Sequence, residues 1–366
     1  MALGVAGSSI RQTNAGKLRP PPNTQNHLGK MDPSHRAAGD TVNIARFESR
    51  DVDEQAALLS GWAEKYQQIG RGSFTGALHQ VQIGALQIFS ETTSQRVHEL
   101  GAAWPGALVF ALVRNTSEPL RWLGQFAGPG DVACFGGNQE FDIVVPGGSE
   151  ILAVAVDSAD FQQCARGVMT AGGWGPDGLP ASPQLLHSAD HYSRLATLVE
   201  TTLQTAAAAP QLLESAQVQK SLRARLFDLL ADLQEVGHSA AAALSPTRRS
   251  ALVAAAREYA KAQGADVPSV ADLCRHFGVS RRTLQYAFEE VTGMNPVAHL
   301  RALRLNGVRR EIKTSDPDML VMDIAARWGF RHSSYFTASY KGLFGEVPSK
   351  TQRTSGKSSA VENASR

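Results

Sequence analysis

A repeat near the C-terminal end limits what this chain can fold into more than any other feature. Val270-Ala271-Asp272-Leu273-Cys274-Arg275-His276-Phe277-Gly278 lines up with Val321-Met322-Asp323-Ile324-Ala325-Ala326-Arg327-Trp328-Gly329 at an offset of 51. Past the glycines the offset is 52: Leu284 meets Phe336, Phe288 meets Tyr340, Val291 meets Leu343, Gly293 meets Gly345 and Pro296 meets Pro348. Each copy reads as a short apolar helix, a tight turn at Gly278 or Gly329, and a second amphipathic helix ending near Gly293 or Gly345. Cys274 and Ala325 stand four residues before those glycines, where two crossing helices require a short side chain. Ser269, with Asp272 three residues on, caps the first helix, and Ser280 caps the helix after the turn. Single αα-hairpins are common in structural roles, but a tandem pair in a basic segment points to DNA.

Between the copies, Val297 to Lys313 has a helical pattern, with Leu300, Leu303, Leu305 and Val308 on the apolar side and several Arg on the other. At ~1.5 Å per residue it spans roughly 25 Å. With the bodies of the two units added, the reading helices reach about the ~34 Å between successive major grooves. Arg281, Arg282, Gln285 and Tyr286 are the expected base readers of the first unit, since Arg suits guanine O6 and N7 and Gln suits adenine N6 and N7. His332, Ser333, Ser334 and Tyr335 are those of the second, with fewer and weaker contacts expected. Arg309, Arg310, Arg331 and Lys341 are assigned to phosphates.

Charge divides the chain in the same way. The formal net charge is only +2, yet residues 40–245 hold 12 Lys and Arg against 22 Asp and Glu, a balance of −10, and residues 246–353 hold 17 against 10, a balance of +7. The acidic part would avoid nucleic acid; the basic part would seek it. Residues 1–39, with Pro20-Pro21-Pro22 and no apolar period, read as disordered, as does the tail 354–366. From about Gly72 to Val156, apolar runs alternate with Gly-rich turns at the spacing of an all-β sandwich or barrel, preceded by an expected helix from Asp51 to Gln68 carrying Leu58, Leu59, Trp62 and Tyr66. The organisation expected is therefore a β-rich sensing domain (40–170) of cupin or barrel type, a helical connector (184–237), a linker at Gly237 to Leu244, and an all-α tandem helix-turn-helix domain (245–353). In the connector, Leu212, Leu213, Val218, Leu222, Leu226, Phe227, Leu229, Leu230 and Leu233 form a stripe wide enough for core or for a two-fold interface.

Several classes are disfavoured. Cys134, Cys164 and Cys274 lie far apart with no CxxC pair, so neither a zinc knuckle nor a disulfide framework is drawn and reduced thiols are expected. No apolar run reaches membrane-spanning length and no leader pattern opens the chain, so a cytoplasmic protein without membrane association is expected. A metal-dependent oxygenase on the β module is one alternative, but it needs two His and a carboxylate, and His79 and His98 are the only His of the sheet region. Phosphate-loop and nucleophile-elbow patterns are missing too, and no catalytic activity is expected. A non-specific DNA-coating protein, the other alternative, is opposed by the acidic half.

The tandem repeat, with Gly329-Phe330, Ser334-Tyr335-Phe336, Tyr340-Lys341, Gly345 and Pro348, resembles the AraC/XylS family of bacterial transcription regulators. Val279 to Gln285 and Arg304 to Glu311 are especially similar to its ethanolamine-operon regulator branch. So, upstream, are Trp62, Tyr66, Gln68-Ile69, Gly72, Phe74, Gly76, Gln87, Phe89, Glu91, Thr93 and Trp104-Pro105. The resemblance implies an activator of promoter DNA, homodimeric or assembled on DNA, working with RNA polymerase, whose β domain binds a small effector. In that branch the effectors are an amine, ethanolamine, and adenosylcobalamin. The departures are a second reading helix poor in long polar donors and the segment Ser349 to Arg353, which lacks a frequent Tyr-Arg. The effector pocket is expected around Phe89, Glu91, Trp104 and Phe110. Trp122, Phe126, Phe135 and Phe141 are further candidates, and Glu140 and Asp142 further acids for a cationic amine.

Overall fold

A computed structural model describes residues 41–137, 139–164, 179–238, 242–243 and 247–353. The readings of the N-terminal segment, of the tail and of half of the Gly237 to Leu244 linker lie outside them.

The described residues open with an all-β domain. β1 (Val42–Ser49), α1 (Val52–Ala56), β2 (Ala63–Gln68), β3 (Gly76–Ile83), β4 (Leu86–Thr93), β5 (Val97–Ala102), β6 (Ala107–Arg114), β7 (Leu120–Trp122), β8 (Gln125–Ala127), β9 (Asp131–Gly136), β10 (Phe141–Val145) and β11 (Ser149–Asp157) are followed by α2 (Ser158–Cys164) and β12 (Gln184–His187). One antiparallel sheet runs β1-β3-β4-β11-β6-β9-β12, extended at its end by β13 (Ala242–Ala243); the other runs β2-β5-β10-β7-β8. β6 shows how the sequence sets the layers. Val109, Ala111 and Val113 line the space between the sheets, while Leu108 and Phe110 face the opposite way, as a period of two requires.

That opposite face is covered by α3 (Ala189–Ala208) and α4 (Ala216–His238). Leu195, Val199, Leu203, Leu222, Leu226, Phe227, Leu230 and Leu233 pack with Val81, Ile88, Leu108, Phe110, Val132 and Val154 in one core, each such burial contributing roughly 1.5–3 kcal/mol. The connector's apolar stripe is thus spent on the sheet, leaving Leu212 as its exposed member. A two-fold contact there would have to use the other face of α4.

Two local readings are corrected. The stretch Asp51 to Gln68 is not one helix: α1 is five residues long, Gly61 takes φ +83°, and Ala63–Gln68 pairs antiparallel with β5. Leu58, Leu59, Trp62 and Tyr66 imitate a helical period across what is a helix, a turn and a strand. The sheet is also larger than Gly72 to Val156. β1 pairs with β3, and β12, inside the expected connector, pairs with β9.

The C-terminal half is helical as expected: α5 (Arg248–Ala262), α6 (Val270–Phe277), α7 (Arg281–Thr292), α8 (Pro296–Thr314), α9 (Val321–Arg327) and α10 (Ser333–Phe344). Among the described residues no helix is long and apolar enough to cross a membrane.

Candidate nucleic-acid interface and ligand cavity

The two repeats are two helix-turn-helix units, α6–α7 and α9–α10. Gly278 and Gly329 adopt φ +63° and +79° in the turns, backbone that a side chain would strain. Ser269 and Asp272 form the expected capping box, and the Ser280 hydroxyl accepts from Thr283 N. On α7, Leu284, Ala287 and Phe288 are buried while Arg281, Arg282, Gln285 and Tyr286 are exposed. Arg282 donates to the Tyr286 hydroxyl at 2.9 Å and lies over its ring, and Gln285 donates to Glu289 at 3.0 Å. On α10, Phe336 and Tyr340 are buried and His332, Ser333, Ser334 and Tyr335 exposed. Arg301 of α8 lies over the Tyr335 ring at 5.4 Å. The structure therefore brings each expected reading set onto one exposed helix end.

α8 carries both units. Leu300 and Leu303 pack into the first unit's core, and Ala302, Leu305, Val308 and Ile312 into the second's. Gly307 faces the Trp328 indole so closely that a Cβ would lie 2.1 Å from its ring, and Glu311 accepts from Trp328 Nε1 at 2.6 Å.

The phosphate set divides. Arg331 and Lys341 are exposed. Arg309 and Arg310 instead hold the β domain: Arg309 pairs with Asp51 at 2.8 Å and Glu346 at 2.6 Å, Arg310 with Asp53 at 2.7 Å and the Tyr66 carbonyl at 2.5 Å, and Lys313 with Asp51 at 2.6 Å. Burial alone would raise the Asp51 pKa; Lys313 and Arg309 outweigh it and hold the carboxyl below its ordinary value. In this conformation both guanidinium groups are engaged by these partners, Arg309 largely buried and Arg310 part-exposed. Beside these pairs, Asn306 donates to the Gln68 carbonyl and accepts from its N–H, and Gln68 Nε2 donates to the Leu343 carbonyl at 2.6 Å.

The first unit docks through a buried cluster. Arg257 of α5, 1% exposed, donates to Asp142 at 2.5 Å, and His98 Nε2 lies 2.7 Å from Asp142 and 2.9 Å from Arg257. Burial is opposed by His98 and Arg257, which keep the Asp142 carboxyl well below the usual range. Burial, reinforced by Arg257, lowers the His98 pKa; it lowers that of His299 further, a ring without hydrogen-bond partners packed between His98 and Phe288.

Between the sheets lies a cavity of about 70 Å³. Phe89 and Glu91 line it as expected, together with Trp122, Phe135 and Phe141. Trp104 and Phe110 do not. Phe110 faces α3 and α4, and Trp104 sits under the Gly137 backbone. Glu140 is exposed, and Asp142 belongs to the Arg257 cluster. Sequence reasoning missed Glu64 and Glu99, both lining the cavity: Glu64 falls inside the stretch expected to be helical, and nothing in the sequence marks the strand of Glu99 as facing a cavity. Burial raises all three carboxyls: Glu91 up to about 7, against hydrogen bonds from Gln55 and Tyr66 that lower it, and Glu64 and Glu99 well above their ordinary value, where neighbouring acids add to the effect. A corrin ring has no room here, so the cavity does not fit adenosylcobalamin.

Residues 273–354 match the family described as "Helix-turn-helix domain". The chain is 36% identical over 104 residues to the probable thc operon regulatory protein of Rhodococcus erythropolis, covering 28% of this chain and 31% of that one. It is 34% identical over 84 residues to the HTH-type transcriptional regulator ExsA of Pseudomonas aeruginosa, covering 23% and 30%. The chain thus spans less than a third of the length of these curated relatives. Among solved structures, the AraC-like transcriptional activator CuxR is similar at 15% identity and a TM-score of 0.35, over 73% of this chain and 96% of that one.

Proposed function

We propose, from a C-terminal domain that is a helix-turn-helix module of the AraC/XylS type, that this chain is a sequence-specific transcriptional regulator, an activator that works in the cytoplasm with RNA polymerase. The observation that carries the reading is the exposure of two equivalent reading helices, α7 and α10, on the single helix α8. Arg281, Arg282, Gln285 and Tyr286 read one major groove, and His332, Ser333, Ser334 and Tyr335 the next. Arg331 and Lys341 contact phosphates; Arg309 and Arg310 join them only after leaving Asp53, Asp51 and Glu346. The β domain is the sensing half, taking a small effector between its sheets. Homodimerisation places two such monomers on adjacent sites.

The test is fluorescence anisotropy of the full chain on its own upstream intergenic DNA and on scrambled DNA across a salt series. A specificity ratio of ~10³ or more with a steep salt slope is expected. A ratio near one on every promoter fragment of the genome would return the chain to the class of non-specific binders.

A further inference from the structure

The loop that joins β2 to β3, residues 69–75, rests on the second helix-turn-helix unit rather than on its own sheet. Ile69 is buried with Ala302, Leu305 and Leu343 in that unit's core. The Gln68 side-chain amide is shared among the carbonyls of Gly70 at 3.0 Å, Gly72 at 2.6 Å and Leu343 at 2.6 Å, so one group ties the loop to itself and to the end of α10. Gly72 N donates to the same Leu343 carbonyl at 3.1 Å. Ser73 sits so close to Gly345 that a Cβ there would lie 2.6 Å from Ser73 N. At the tip of this clamped loop stands Arg71, exposed, its guanidinium without an ion pair or hydrogen bond among the described residues.

Arg71 borders a groove of about 290 Å³ whose other walls include Arg301 of α8 and Tyr335, Ser339 and Gly342 of α10. Arg301 lies over the Tyr335 ring and likewise has no ion pair among the described residues. No Asp or Glu stands among the lining residues. The contrast with Arg309 and Arg310, each paired with an acid, is sharp. Two guanidinium groups facing one groove, with nothing to neutralise them, favour an anion there. Tyr335 belongs both to this groove and to the expected reading set, so the groove continues the reading surface.

We infer that this groove takes the sugar-phosphate backbone of DNA beside the second half-site, with Arg71 of the β domain donating to a phosphate. The inference rests on the reading of the chain as a DNA-binding regulator and adds to that interface a contact from the acidic half. Tyr335 and Gly342 are seven residues apart on α10, ~10 Å at ~1.5 Å per residue. A major groove is about 12 Å wide. A helix that places Tyr335 on base edges therefore holds the Arg71 loop near the wall of the groove, where the phosphates are. Ser339 adds a hydroxyl donor of the kind that contacts phosphate. The contact also supplies what the second unit lacks, since α10 is poor in long donors and Arg309 and Arg310 are engaged by acids. Arg71 reaches DNA only while its loop rests on α10. The docked arrangement of the two halves is then the form that binds, and Gln68, which holds the loop, is a positioning residue.

The experiment is fluorescence anisotropy of the full chain and its variants across 50 to 200 mM salt, on its own upstream intergenic DNA and on scrambled DNA. Arg71→Ala lowers the salt slope by roughly one unit on both DNAs, so that its affinity falls about fourfold less over that range than the parent's. The Tm and the ratio between the two DNAs stay as they were, because the side chain is exposed and a phosphate contact reads no sequence. Arg71→Lys keeps the slope. Gln68→Met loses the same unit of slope, and Arg71→Ala added to it loses no more. Ethylation interference at one phosphate beside the second half-site disappears in Arg71→Ala. An unchanged slope in Arg71→Ala, a slope that Lys does not keep, or a lost interference signal at the first half-site overturns the inference. Independent losses in Arg71→Ala and Gln68→Met remove Gln68 from the positioning role. Specific binding that is indifferent to Arg71→Ala sinks this contact alone; a lost unit of slope with a specificity ratio near one sinks the regulator reading alone.

Discussion

The two helix-turn-helix units repeat one sequence pattern yet are held in place by different means. The first is secured locally, by the Ser269–Asp272 capping box and the Ser280 cap. The second has Leu320 and His332 at the equivalent positions and no side-chain cap at either; it is secured by tertiary contacts, Trp328 seated on Gly307 and bonded to Glu311. The reading surfaces differ in parallel, long donors on α7 and short ones on α10. A shared motif therefore fixes the turn geometry, while the stability and reading power of each copy come from residues that the motif leaves free.

The largest effect is expected at Gly307. Any side chain there meets the Trp328 ring, and a well-packed core resists such insertion at a cost of ~1–3 kcal/mol or more. Gly307→Val should lower the urea midpoint accordingly and abolish contact with the second half-site, while footprints over the first persist. An unchanged midpoint would show that Trp328 simply swings aside. On DNA, Arg282→Ala should cost ~1–3 kcal/mol on the preferred site and relax discrimination at one base pair, whereas His332→Ala should cost less. Equal loss on all sequences would remove Arg282 from the reading set.

Much of this was legible beforehand because helix-turn-helix geometry is written in small residues, glycines and caps at fixed spacing. The contacts joining the halves were not. Arg309 and Arg310 read as phosphate ligands because a basic helix face beside a DNA motif has that default use, and Asp51 and Asp53 lie over 250 residues away in sequence. Glu64 was hidden by the helical period that the stretch Asp51 to Gln68 imitates, and Glu99 by a strand whose facing layer the sequence does not show, although each sits one strand period from a buried neighbour, Tyr66 and Val97. Inward polar residues also disguised β2, which lacks the apolar alternation that identifies a strand.

Titration should separate the docking cluster from the cavity. Burial lowers the pKa of His98 and His299, with Arg257 and Lys261 of α5 adding to this for His98 and Asp142 of β10 opposing it. Their folded pKa values lie below 6.5, so the unfolded chain takes up protons first, and the stability they sustain is full above pH ~6.5 and lost as pH falls. Glu91 has the opposite sign. Raised to about 7 beside Glu64 and Glu99, with Tyr66 and Gln55 as its hydrogen-bond partners, it contributes stability that is full below its ordinary pKa and lost as pH rises through about 7. Urea midpoints between about pH 5 and 8 should therefore fall on both sides of a maximum. His299→Leu should flatten the acid limb and Glu91→Gln the alkaline one. Limbs that respond to neither substitution would assign the titration to other groups.

The smallest effect tests the comparison most directly, because it exchanges the two modes of support. Ser269→Ala removes the first unit's cap and should cost ~1 kcal/mol. Leu320→Ser places a hydroxyl at the second unit's N-cap, three residues before Asp323 and thus in capping-box spacing, and should recover ~0.5–1 kcal/mol. Leu320 is 66% exposed, so little packing is lost in the exchange. If the second unit depends on Trp328 and Glu311 because it lacks caps, the added cap should partly offset a Trp328→Phe substitution, which deletes the bond to Glu311. A double-mutant cycle on the urea midpoint gives the answer. A favourable coupling means that caps and tertiary anchors substitute for one another in this motif; strict additivity means that they stabilise separate steps, and the second unit's missing caps then have no bearing on its docking to α8.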